Sequence, residues 1–76
     1  MIEEIEKMLE ANPFEPFVIY TSGGNAYFVA SRDHAHITPR RSRVVIFFDD
    51  ESSVTVPGLH IASVSKTTAE KLSAET

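Results

Sequence analysis

Residues 32–37 read Arg-Asp-His-Ala-His-Ile and bring together two of the three histidines with a carboxylate and a guanidinium, the most chemical-looking stretch of this 76-residue chain. Extended, the segment sets His34 and His36 on one strand face, because side chains two apart point the same way. Two neighbouring imidazoles are the start of a metal site, which needs a third ligand. His60, Asp33 or the run Asp49, Asp50 and Glu51 are the available donors, and no spacing selects among them. His34 and His36 therefore stand as metal candidates without an assigned metal; the plainer reading makes them polar residues on a strand rim. Close behind follow Arg40, Arg41 and Arg43, with Thr38 and Ser42 between them. Guanidinium forks suit phosphate, and hydroxyls donate to it as well, so this loop is a nucleic-acid candidate. Its plainer reading is a solvated loop between two strands.

Other chemistry is excluded more firmly. The absence of cysteine removes disulfides, thiolate metal sites, iron–sulfur clusters and thiol nucleophiles. Asp49, Asp50 and Glu51 lack the spaced ligand series of a calcium loop and read as a turn. Gly23 and Gly24 do not lead from a strand into a helix, as a phosphate-binding glycine loop does. No serine sits in a nucleophile-elbow context, and no acid is assigned to any histidine. The expectation is a protein that is not an enzyme and holds no cofactor.

These side chains must be held by local structure. Ile2, Ile5, Met8 and Leu9 recur at helical spacing opposite Glu3, Glu4, Glu6, Lys7 and Glu10, which predicts an amphipathic helix of about three turns. Pro13 keeps Asn12 out of helical geometry and ends it. The segments 17–21 and 27–30 predict a hairpin, with Gly23 and Gly24 supplying the positive φ angles of a two-residue primed turn. Segment 43–48 is bulky on both faces and reads as a central strand. An acidic turn leads to a fourth strand over 53–56; Pro57 and Gly58 break it, and 59–64 makes the fifth.

The fold class expected is mainly β with an N-terminal α-helix: a five-stranded antiparallel small barrel forming one domain over 1–64. Residues 65–76 are expected to be a frayed or loosely helical tail. Core candidates are Ile5, Leu9, Phe14, Phe17, Ile19, Phe28, Val29, Val45, Phe47, Val54, Val56, Leu59, Ile61 and Val64. So short a chain has little core, and the uncharged fourth strand and the fifth strand are candidate open edges. Self-association through those edges follows as an expectation.

The formal charge of −4 is unevenly distributed. Residues 1–15 carry five glutamates and one lysine, the arginine segment 32–43 sums to +3, and the run 49–51 to −3. An acidic chain loses the long-range attraction on which non-specific nucleic-acid binding relies. The longest apolar run, 44–48, is far short of the ~18 residues of a membrane span. The acidic start is the wrong charge for a signal peptide, so a cytoplasmic location is expected.

Two resemblances add to this reading. The short acidic helix, the Pro-Phe-Glu-Pro-Phe step at 13–17, the glycine hairpin and the closing Leu-His-Ile-Ala-Ser-Val at 59–64 are similar to a set of short uncharacterised bacterial proteins. That likeness implies a shared fold and no activity. One helix followed by about five short strands also resembles the Sm-like small barrel, or an SH3-like one; Sm-like bacterial RNA chaperones join edge strands into rings that bind single-stranded RNA. The stretch 58–64 is similar to their final strand, where a histidine precedes small and aliphatic residues. This resemblance implies an RNA-contacting role for His60, to be set beside Arg40, Arg41 and Arg43. The leading expectation is a non-enzymatic binding and assembly module acting through protein contacts at strand edges. An RNA-binding ring is the alternative, and a histidine-based metal site the second alternative.

Overall fold

The computed structural model describes residues 2–66. The chain is mainly β with one N-terminal helix, and its strands form two three-stranded antiparallel sheets in place of a closed five-stranded barrel. Helix α1 spans Ile2–Glu10, with Glu3 and Glu4 in its first turn, where carboxylates suit the exposed amides. At nine residues it is too short to persist alone in water. Tertiary contacts hold it. Ile2 and Ile5 are buried in the core, and Met8 and Leu9 pack against its margin.

Strand β1 (Phe17–Thr21) pairs with β2 (Ala26–Val29) on one side and with β6 (Ile61–Lys66) on the other. The β1–β2 turn corrects the expected two-residue connection. It uses residues 22–25, Thr21 Oγ1 accepts the Asn25 amide at 3.1 Å, and only Gly24, at φ 88°, needs glycine's freedom. Strand β3 (Ala35–Ile37) pairs with β4 (Arg43–Phe47), and β4 with β5 (Ser53–Pro57). The expected third strand is thus central to its sheet, and the expected fourth and fifth, now β5 and β6, are edges. β3 was not among the five expected strands. Three residues are too few to show a period, and a 3-10 turn over Arg32–His34 separates it from β2. A second 3-10 turn, Gly58–His60, joins β5 to β6. Ser65 and Lys66 belong to β6, pairing with Val18 and Phe17, while the rest of the expected tail, 67–76, lies outside the described residues.

The core between the sheets is Ile2, Ile5, Phe17, Ile19, Val29, Ala35, Val44, Ile46, Val56 and Ile61. Here β4 departs from expectation: Val44 and Ile46 point inward, Val45 is half-buried and Phe47 faces outward. A strand apolar at both parities carries no local sign of its inner face, and packing decides. Phe28 is exposed too, because Tyr27 and Val29 take the inner side of β2. Leu59 sits on the second 3-10 turn and is 96% exposed. That turn approaches the helix start closely. The Gly58 amide donates to the Ser42 carbonyl at 2.8 Å, and a Cβ at Gly58 would lie 3.1 Å from Ile2 Cγ1.

Truncation should separate these two apolar classes. Ile5→Ala is expected to cost about 2–5 kcal/mol in urea unfolding, whereas Leu59→Ala should stay within about 0.5 kcal/mol of the parent. Equal effects would contradict the inward placement of Ile5 and the outward placement of Leu59.

Candidate functional site

The arginines divide into tethers and free groups. Arg32 Nε donates to the Leu9 carbonyl and Nη2 to that of Ala11, each at 2.6 Å, so one guanidinium satisfies the carbonyls at the end of α1. Its charge lies 5.7 Å from the centre of the Phe14 ring. Arg41 Nη2 donates to Glu6 Oε1 at 2.6 Å and ties the β3–β4 loop to the helix. Thr38 is occupied in closing that loop: its hydroxyl accepts the Arg43 amide, and its own amide donates to the Arg43 carbonyl. Arg40 and Arg43 are exposed, and their guanidinium groups have no partner among the described residues. His60 is exposed beside Thr21, Gly23, Asn25 and Tyr27, whereas Arg41 lines a different hollow with Ile2, Glu3, Ser42, Gly58 and Leu59. The four nucleic-acid candidates thus do not share one cleft.

The histidine pair is divided as well. His34 ends the first 3-10 turn and His36 stands mid-strand on β3 opposite Val45, so the expected single extended face does not form. Both ring nitrogens of His34 are engaged: Nδ1 lies 2.6 Å from Ser31 Oγ and Nε2 lies 3.0 Å from Asp49 Oδ1. An ionised carboxylate only accepts, so Nε2 carries the proton of the contact with Asp49, and Nδ1 is engaged by the Ser31 hydroxyl. No group of three histidine, aspartate or glutamate residues is placed to hold a metal among the described residues.

What the structure does gather is a set of aromatic side chains. Ala26, Tyr27 and Phe28 from β2, Ala30, His34, and Phe47, Phe48 and Asp49 at the end of β4 line an open cleft of about 220 Å³. The Tyr27 and Phe48 rings lie 6.3 Å apart at 42°. Phe28, Phe47 and Phe48 remain 40%, 40% and 37% exposed. No protein family, curated protein or solved structure matches the chain. The cleft is read from its own chemistry.

Sequence pattern carried one sign of it: Phe47 and Phe48 are adjacent, so a strand cannot bury both on one face. The contribution of Phe28 and His34 depends on the 3-10 turn between β2 and β3 and has no local sign. The cleft is acidic at its rim. Asp49 is 97% exposed, Asp50 and Glu51 follow it in the turn, and neither lysine nor arginine is among the lining residues. The Ser52 hydroxyl and amide both donate to Asp50 Oδ1. These bonds favour the carboxylate and hold its pKa below the ordinary aspartate value, the hydroxyl being the larger cause.

A pH titration of the side-chain carboxyl by NMR should therefore find Asp50 below the usual aspartate range, and Ser52→Ala should raise it. The sign follows from the depressed value. The turn's contribution to stability is present above the unfolded aspartate pKa and is lost as pH falls through the folded one. An Asp50 titration unmoved by Ser52→Ala would remove the hydroxyl as its cause.

Proposed function

We propose that this protein is a non-enzymatic binding and assembly module that takes a segment of protein chain into the aromatic cleft and uses its open strand edges. The observation that carries this reading is the exposure of Phe28, Phe47 and Phe48 around one cleft. Covering an aromatic side chain is worth about 1.5–3 kcal/mol, and clustered aromatic rings are the usual energetic centre of a protein interface. β2, which supplies one wall, is itself an edge strand, so an extended segment in the cleft has backbone groups nearby to pair with. β5 adds a further edge, with exposed Ser53 and Thr55 and no charged side chain to discourage pairing.

The Sm-like or SH3-like reading draws its support from strand order. If β2 and β3 are two halves of one strand bent at the 3-10 turn, the order runs β6-β1-β2/β3-β4-β5, that of a small five-stranded barrel opened at the bend. The non-enzymatic reading rests on solvation. Ser31, His34 and Asp49 do line up as hydroxyl, imidazole and carboxylate, but Asp49 is almost fully in water, where the pair is screened and no site excludes solvent. Ser31 and His34 are three residues apart in one turn, which accounts for their bond. The RNA reading draws on Arg40 and Arg43 and ranks second, since Arg41 is paired with Glu6.

Selection from a random peptide library is expected to yield extended peptides that shift the amide resonances of Tyr27, Phe28, Phe47 and Phe48. The variant Phe28→Ala with Phe47→Ala should weaken them at least about tenfold, the equivalent of ~1.4 kcal/mol. Affinity unchanged in that variant, or failure of the selection together with failure of a basic peptide to bind, would overturn the cleft as a binding site. An oligonucleotide whose affinity falls steeply with salt and with Arg40→Ala plus Arg43→Ala would favour RNA. Hydrolysis of an activated ester should be no faster with the parent than with Ser31→Ala; a clear loss in that variant would reject the non-enzymatic reading.

A further inference from the structure

Resting on the cleft as a docking surface, we propose that its occupant is the arginine loop of a second copy of this chain, inserted head to tail. The chemistry of the cleft selects a cation. Tyr27, Phe28, Phe47 and Phe48 present aromatic rings, whose faces are negative, and Asp49 stands at the rim. Asp49 Oδ1 accepts from His34, and Oδ2 has no partner among the described residues. No lysine or arginine lines the cleft, so it brings no ammonium or guanidinium of its own. A guanidinium fits this surface better than an ammonium, because it stacks on an aromatic face while its edge donates to carboxylate. Arg32 beside the Phe14 ring is the same pairing made within the chain.

The chain carries the matching group and cannot deliver it to itself. Arg40 and Arg43 are the arginines without a guanidinium partner among the described residues. Arg40 lies in the connection entering β4 and Arg43 is the first residue of that strand, whereas Phe47, Phe48 and Asp49 lie where β4 ends. Arg43 and Phe47 are four steps apart on that strand, roughly 13 Å at about 3.3 Å per residue. The loop and the acidic turn therefore occupy opposite poles of one rigid element, and the two surfaces meet only between molecules. The local charges are opposite in sign: Arg40 and Arg43 at one end against Asp49, Asp50 and Glu51 at the other, Arg41 being held by Glu6. Each copy then offers one loop and one cleft. Such a heterologous contact closes into a ring or continues as a filament.

Light scattering and sedimentation on the full chain test this. At low salt the mean mass should rise with concentration, and high salt should weaken association at least about tenfold. Arg40→Glu with Arg43→Glu should be monomeric, and so should Asp49→Lys. Mixed together the two variants present matched surfaces again and should reassociate. Glu10→Lys, on α1 and away from both the cleft and the strand edges, should leave the mass unchanged. A parent that stays monomeric at millimolar concentration overturns the proposal. So does a folded pair of variants that fails to reassociate, or dissociation by Thr55→Lys on the β5 edge with no effect of the charge reversals.

Should either reversed variant fail to fold, a synthetic peptide of residues 38–43 added to the parent replaces it. It is expected to shift Phe28, Phe47 and Asp49 and to lower the mean mass; no shift overturns the inference. Peptide binding with a parent that is monomeric throughout rejects the second copy as occupant and leaves the cleft as a binding site for another basic segment. Failure of the library selection and of this peptide together rejects the cleft itself.

Discussion

The docking of a nine-residue helix on two small sheets is the constraint on which the rest of this structure depends. Ile2 and Ile5 enter the core that lies between the sheets, and Arg32 fastens the other end of the helix through the Leu9 and Ala11 carbonyls. Each partner lacks stability alone. The helix is too short to persist in water, and a three-stranded sheet with one bare apolar face has nothing to cover it. The Arg32 fork also fixes the start of the 3-10 turn, and with it the place at which the chain leaves β2 for β3. That exit point aims His34 into the aromatic cleft.

The same anchoring divides the basic segment into two functions. Arg32 and Arg41 are tied across the surface to helix acceptors, a backbone carbonyl pair for one and Glu6 for the other. Arg40, on the connection entering β4, and Arg43, at the start of that strand, are left facing water. The acidic turn is held at the far end by local bonds, Phe48 to Ser52 along the backbone and Ser52 to Asp50 through the side chain. A chain of net negative charge is thereby made locally polar, with β4 as the rigid spacer between ends of opposite sign. Composition alone describes an acidic protein; its folded surface presents a basic pole and an acidic aromatic one.

Much of the secondary structure was legible beforehand. The helix stripe, its stop before Pro13, the first hairpin, the bulky central strand and the edge positions of the last two strands all have local causes in spacing or turn chemistry. The failures are informative in the same terms. Val45 and Phe47 were expected inside, where Val44 and Ile46 are found. Leu59 was expected in a strand and stands on a 3-10 turn. β3 is too short to announce itself, and a barrel inferred from strand number became two sheets once the 3-10 turn divided the hydrogen-bond ladder. Of the site, the histidines and arginines were recognised as chemically able groups, but their partners were not.

By itself, then, the sequence determined the inventory: which segments extend or coil, where turns fall, that no thiol chemistry is available, and that charge is arranged in blocks. These follow from interactions within a few residues, which periodicity and residue type record. Only the tertiary structure decided which face of β4 is inner, which arginines are spent on the helix, that His34 lies between Ser31 and Asp49, and that Phe28 joins Phe47 and Phe48 at one cleft. Each of those outcomes joins residues far apart in the chain. The choice between alternatives of equal local merit is made by what the helix and the two sheets can bury together, and no single segment contains that information.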